Sequence, residues 1–175
     1  MWFANKEELV MRRHHKSALV LVLTGVLVGA FSLGGIAIAS GGDGGETELR
    51  AELSGDQEVP PADPDGTGEA KVEFTLGEEE LCFEVKFEDT GTPNRGHIHR
   101  GAAGVNGPIV VEFFELVSSP ADPRHDQLEA KSELEDCVPA SASILNEIAA
   151  NPQGFYVNLH NARFPAGAIR GQLEG

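Results

Sequence analysis

Between Glu69 and Glu88 the chain alternates apolar and polar side chains almost residue by residue, and a two-residue period dictates a sheet. Ala70, Val72, Phe74 and Leu76 fall on one side, with Glu69, Lys71, Glu73 and Thr75 on the other. Gly77-Glu78-Glu79 turns the chain. Leu81, Phe83, Val85 and Phe87 then alternate with Cys82, Glu84, Lys86 and Glu88. Successive side chains of a strand point to opposite faces, so each run has one apolar face and one wet face. The two runs predict an antiparallel hairpin laid on a core.

Other segments read the same way. Leu49, Ala51 and Leu53 alternate with charged residues in a short half-buried strand. His97-Ile98-His99 begins another extended piece, and Ile109 to Phe114 reads as a buried strand. Phe155 to His160 and Ala168 to Leu173 complete the set. Ser141 to Ala150 is the one helix, with Ile144, Leu145 and Ile148 on one side and Asn151-Pro152 ending it. Residues 117–139, with Pro120, Pro123 and Pro139, read as a long polar excursion. The 21 Gly and 10 Pro among 175 residues fit a turn-rich β protein. The predicted fold is all-β, an antiparallel β-sandwich or Greek-key barrel with one short helix.

An apolar segment precedes it. Residues 1–17 carry Lys6, Arg12, Arg13 and Lys16 against Glu7 and Glu8, and residues 18–39 carry no charge. A basic start, an apolar run and a small-residue site form the pattern of a secretory signal. Ala37-Ile38-Ala39 supplies the site, with cleavage before Ser40, and Met11 offers a second possible start. The run is also long enough for a retained transmembrane helix. Either way the positive flank stays in the cytoplasm and the rest lies outside. The expected organisation is an export signal or anchor over 1–39, a Gly-rich tether over 40–46, and a β domain over 47–175.

Charge narrows the partners. The chain has 13 Lys+Arg against 28 Asp+Glu, a formal net charge of −15. Residues 1–39 hold four of the bases and two of the acids, so the remainder carries −17. Such a domain lacks the basic surface that nucleic acids require. Contact with a membrane is expected only through the apolar segment, if it is uncleaved. Cys82 and Cys137 are the only cysteines. In an exported domain they predict a disulfide, and alternation places Cys82 on the face opposite Phe83.

Three motifs stand out. The first is Gly55-Asp56-Gln57-Glu58-Val59-Pro60-Pro61, with Gly66 and Gly68 after it. The second is His97-Ile98-His99-Arg100-Gly101, then Gly104, Gly107 and Pro108. The third is Tyr156-Val157-Asn158-Leu159-His160, then Pro165, Gly167 and Ile169-Arg170-Gly171-Gln172-Leu173. In this order and spacing the chain resembles the CHRD domain family, named for chordin and found also in exported microbial proteins. The resemblance covers about residues 47–173. It implies an extracellular β-rich domain and carries over no activity; growth-factor binding is not transferred.

The histidines hold the most chemical potential. His97 and His99 are two apart and share a strand face. His160 joins them if its strand pairs with theirs, and three imidazoles leave an open position suited to copper or zinc. The His-x-His strand resembles part of the copper site of Cu/Zn superoxide dismutase, although the fuller set of His and Asp ligands is missing. The same histidines could instead bond to backbone groups of neighbouring loops. Arg170 is expected to be buried beside a carboxylate such as Glu58. Gly101, Gly104 and Gly107 are expected to permit positive φ in a tight loop. Asp63 to Glu69 begins like a calcium loop, but its twelfth position is Phe74, so an acidic turn is expected. Arg100, Gly107, Asn158 and Gly171 are carried as structural members of the motifs.

No catalytic residue is assigned. The leading expectation is a non-enzymatic module that binds an extracellular ligand or envelope component. The alternative is a copper- or zinc-binding protein using His97, His99 and His160.

Overall fold

The computed structural model describes residues 45–115, 121 and 124–175. The apolar run, its cleavage site and residues 40–44 of the Gly-rich segment lie outside the described residues. Among the described residues, no helix is long and apolar enough to cross a membrane.

Eight strands form one antiparallel sheet: β1 (Glu46–Ser54), β2 (Thr67–Thr75), β3 (Glu80–Glu88), β4 (Arg95–Arg100), β5 (Ile109–Phe114), β6 (Glu133–Pro139), β7 (Phe155–His160) and β8 (Ile169–Gln172). Their order across the sheet is β5-β4-β7-β8-β1-β2-β3-β6. The sheet rolls until its edge strands β5 and β6 approach each other, giving a nearly closed barrel. Across the core Phe83 of β3 stacks on Phe113 of β5, with centroids 4.2 Å apart. The all-β antiparallel expectation is therefore met by a single rolled sheet.

The expected hairpin is β2–β3, with Ala70 opposite Val85 and Val72 opposite Phe83. Its turn holds Gly77 at φ 96°, a left-handed conformation that a glycine adopts without steric cost. Two helices flank the sheet: α1 (His125–Lys131) and α2 (Ala142–Ala150). The second is the expected one. Ser141 caps it by accepting a hydrogen bond from the Ile144 amide, and Ile144, Leu145 and Ile148 are buried.

The excursion over 117–139 needs correction, because it contains α1 and the edge strand β6. Leu128 of α1 and Leu134 of β6 are both buried. β6 pairs with β3 and places Cys137 directly opposite Cys82, where the two form the disulfide. Pro139 ends this strand, a position that an edge tolerates because no neighbour needs its missing N–H.

The outer face is not uniform. On β2 and β3 it is wet, with Lys71 between Glu73 and Glu84 at 3.4 and 3.9 Å. On β7 every residue is buried. The inward set there is Phe155, Val157 and Leu159. The outward set is Tyr156, Asn158 and His160, so this strand has an apolar core on one side and a buried polar layer on the other.

Candidate functional site

The polar layer spans three paired strands. β7 pairs with β4 on one side and β8 on the other, so Asn158 stands opposite both His97 and Arg170. Tyr156 stands opposite His99 and Gln172, and His160 opposite Arg95. Ile98 faces the core, which sends His97 and His99 outward together. The loops of the three motifs cover this face. Asp63 N donates to Ala168 O, and Asn106 Nδ2 donates to Val59 O at 2.7 Å. Thr90 donates to the Asp63 carboxylate at 2.7 Å. The Asp63 segment is thus a pinned loop rather than an open acidic turn.

Beneath these loops His97, His99 and His160 come together. One nitrogen from each lies within 4.8 Å of the other two. The remaining nitrogen of every ring faces an oxygen. His97 Nε2 faces the Glu115 carboxylate at 3.2 Å. His99 Nδ1 faces Gly107 O at 2.9 Å, and His160 Nδ1 faces Pro165 O at 3.2 Å. A neutral imidazole has one N–H, while carbonyl and carboxylate oxygens only accept. His99 and His160 therefore spend their protons outward, and His97 does so in the tautomer that serves Glu115. What then points inward is three lone pairs: His97 Nδ1, His99 Nε2 and His160 Nε2.

Burial keeps the rings neutral. It lowers the pKa of all three below the usual histidine value. His160 falls to about 4, through burial first and the charge of His97 second. His97 Nδ1 and His160 Nε2 stand 3.2 Å apart, and when the His97 proton serves Glu115 two lone pairs face each other there. Two nitrogens bound to one zinc at about 2.0 Å and a tetrahedral angle would stand about 3.3 Å apart. His99 Nε2 is buried without a partner. The set has the form of a cation site, with each ligand oriented by an oxygen behind it.

The expected site residues divide into two groups. His97, His99, His160, Asn158 and Arg170 belong to the layer. Arg170 is buried as expected, and its guanidinium lies 4.7 Å from the centre of the Tyr156 ring. The His99 ring also stacks on Tyr156, parallel to it with centroids 4.9 Å apart. Arg170 donates to Gln57 O and to Asn106 Oδ1 at 2.9 Å. Glu58 acts on it through space. Burial raises the Glu58 pKa to about 7, and the nearby Arg170 offsets part of that rise. Arg100 is elsewhere, exposed and paired with Glu147 of α2.

The glycines serve close approach more than backbone freedom. Gly104 does have positive φ, at 78°. Gly107 does not; a Cβ there would stand 1.7 Å from Arg100 O. That approach is what delivers the Gly107 carbonyl to His99. Gly101, in the same loop, has no positive φ either and lies close to Val105 O, and Gly171 on β8 lies against the Glu52 backbone.

Sequence reasoning missed Glu115 and Asn106. Neither sits in a motif with metal or ion-pair spacing. Glu112 and Glu115 also gather around the outer nitrogen of His97. The one further histidine among the described residues, His125, is on α1. Thus the ligands of a two-metal centre of the superoxide-dismutase kind are not assembled among the described residues.

A family model for the CHRD domain matches residues 49–173, which contain every element from the interior of β1 to the end of β8. No curated protein and no solved structure matches the chain. With most of its length covered by that model and all three motifs converging on one buried layer, the chain belongs to the CHRD domain family.

Proposed function

We propose that this is an exported, non-catalytic CHRD module that holds one copper or zinc ion on His97, His99 and His160. The observation that carries the reading is the placement of the ring nitrogens, one of each ring facing an oxygen and the other facing its two partner rings. When Glu115, Gly107 O and Pro165 O take all three imidazole N–H groups, three lone pairs converge in a buried space. If His97 instead donated to His160, its Nε2 lone pair would face the Glu115 carboxylate. A cation relieves both conflicts. Three imidazoles suit zinc and copper, and leave one position for an outside ligand.

Export is supported by the N-terminal charge and hydropathy pattern and by the disulfide, which persists in oxidising compartments. CHRD domains are generally extracellular, which agrees. A reporter fused after Gly175 is expected to be active outside the cytoplasm; activity inside would remove the export half of the proposal.

Metal analysis of the domain purified without a polyhistidine tag tests the other half. About one equivalent of copper or zinc is expected, and His97→Ala should lose it. The Glu115→Gln variant is expected to keep metal but bind it about 10-fold more weakly, since it loses the charge behind His97. Clean, metal-free protein that takes up no added copper or zinc would sink the proposal.

A further inference from the structure

Asn158 sits at the centre of the polar layer with its oxygen unused. Its neighbours on the outer face are His97 and Arg170 across the two strand pairs, and Tyr156 and His160 along its own strand. It is 3% exposed, and its Oδ1 is buried without a hydrogen-bond partner. A buried acceptor in that state carries an uncompensated desolvation cost. An apolar side chain of similar size would avoid that cost. The neighbouring Arg170 does not serve it: its Nε and Nη1 donate to Gln57, Val105 and Asn106, and its Nη2, itself buried without a partner, does not bond to Asn158 Oδ1.

The inward side of the site therefore offers lone pairs from three imidazole nitrogens and one amide oxygen. An ion satisfies the nitrogens. It does not by itself satisfy an amide oxygen that lies beside the ligands. A water bound to that ion does, because its lone pair goes to the metal and its two protons then need acceptors. We infer that Asn158 accepts a hydrogen bond from a water that completes the coordination of the ion on His97, His99 and His160. The inference rests on the three-histidine reading and adds to it the fourth position and its orientation. Asn158 is a positioning residue here, acting on the ion through the water. Being neutral, it holds the water in place without adding charge, so an incoming ligand can displace the water.

The test uses the whole exported domain with Co(II) alone as the probe, because its visible absorption reports coordination number and ligand set. Wild type, Asn158→Ala and Asn158→Asp are titrated with Co(II), then with Zn(II) in competition. Asn158→Ala is expected to bind about 10-fold to 100-fold more weakly and to shift the Co(II) spectrum, as loss of a second-sphere partner does. Asn158→Asp should bind about 10-fold more tightly than wild type and also shift the Co(II) spectrum, because a carboxylate accepts the same bond and adds charge. The Asp variant keeps the side-chain shape, so it still decides the matter if the Ala variant fails to fold. Variants with unchanged Co(II) affinity and spectrum would overturn the assignment of Asn158 while leaving the histidine site intact. A wild type that binds no metal would overturn both.

Discussion

Replacing Cys82 and Cys137 together with serine is expected to lower stability by about 4 kcal/mol. The bond closes a loop with a sequence separation of 55. In the chain-entropy account, its contribution comes from the freedom it removes from the unfolded chain. The native register does not depend on it. Leu81, Phe83 and Val85 still fix the inward face of β3, and Leu134 still anchors β6. The variant should therefore keep its sheet content by circular dichroism while its midpoint falls by roughly 15 °C, about 4 °C per kcal/mol for a domain of this size. Wild-type protein under reductant should match it. A midpoint within about 3 °C of the oxidised protein would show that the cross-link does not carry this share. Typical domains are stable by about 5–15 kcal/mol, so reduction of the bond would remove a sizeable share of the stability.

How far the sequence shows this structure depends on which face of the sheet a residue joins. Ala70 to Phe74 and Leu81 to Phe87 show strict alternation, and both strands form where expected. β6 was hidden because its segment, Glu133-Leu134-Glu135-Asp136-Cys137-Val138-Pro139, has one fully buried side chain. An edge strand with one neighbour and a wet face needs little apolar pattern. Leu134 anchors it, and the disulfide adds a cross-link to β3. The polar layer shows the opposite limit. Alternation places Tyr156, Asn158 and His160 outward, and outward ordinarily means wet. Only the loops that fold back over β4, β7 and β8 bury them, and no local rule predicts that cover. The convergence of His97, His99 and His160 was legible because it needed only a strand period and one pairing. Glu115 was not. Its place behind His97 depends on the register shifts between β4 and β5 at Gly96/His97 and Ile98/His99.

Replacing Glu58 with glutamine is expected to make the metal-free domain more stable at pH 8 and to change the shape of its stability against pH. The folded-state pKa of Glu58 is about 7, against 4.5 for the free group. Between those values the folded protein holds a proton that the unfolded chain has released. Stability from this group is therefore full at low pH, falls as pH rises through the interval, and stays lower above 7. The shift corresponds to about 3 kcal/mol. His160 runs the other way. Its folded pKa is about 4 against 6.5, so the unfolded chain takes up the extra proton and stability falls as pH drops from 6.5 towards 4. His97 and His99 shift in the same direction and add to this arm. In the wild type the two arms oppose each other between pH 4.5 and 6.5, which flattens the profile. Glutamine keeps the shape of a protonated glutamate and cannot ionise, so the Glu58 arm disappears. The variant should then rise through the histidine interval to a plateau that persists at pH 8, about 3 kcal/mol above wild type at that pH. Denaturant unfolding at pH 4.5, 6.5 and 8 with a chelator present checks this. Parallel curves for the two proteins would mean that Glu58 ionises in the fold as it does in water. The burial of the Glu58 loop against Arg170 would then leave the ionisation of this acid unperturbed.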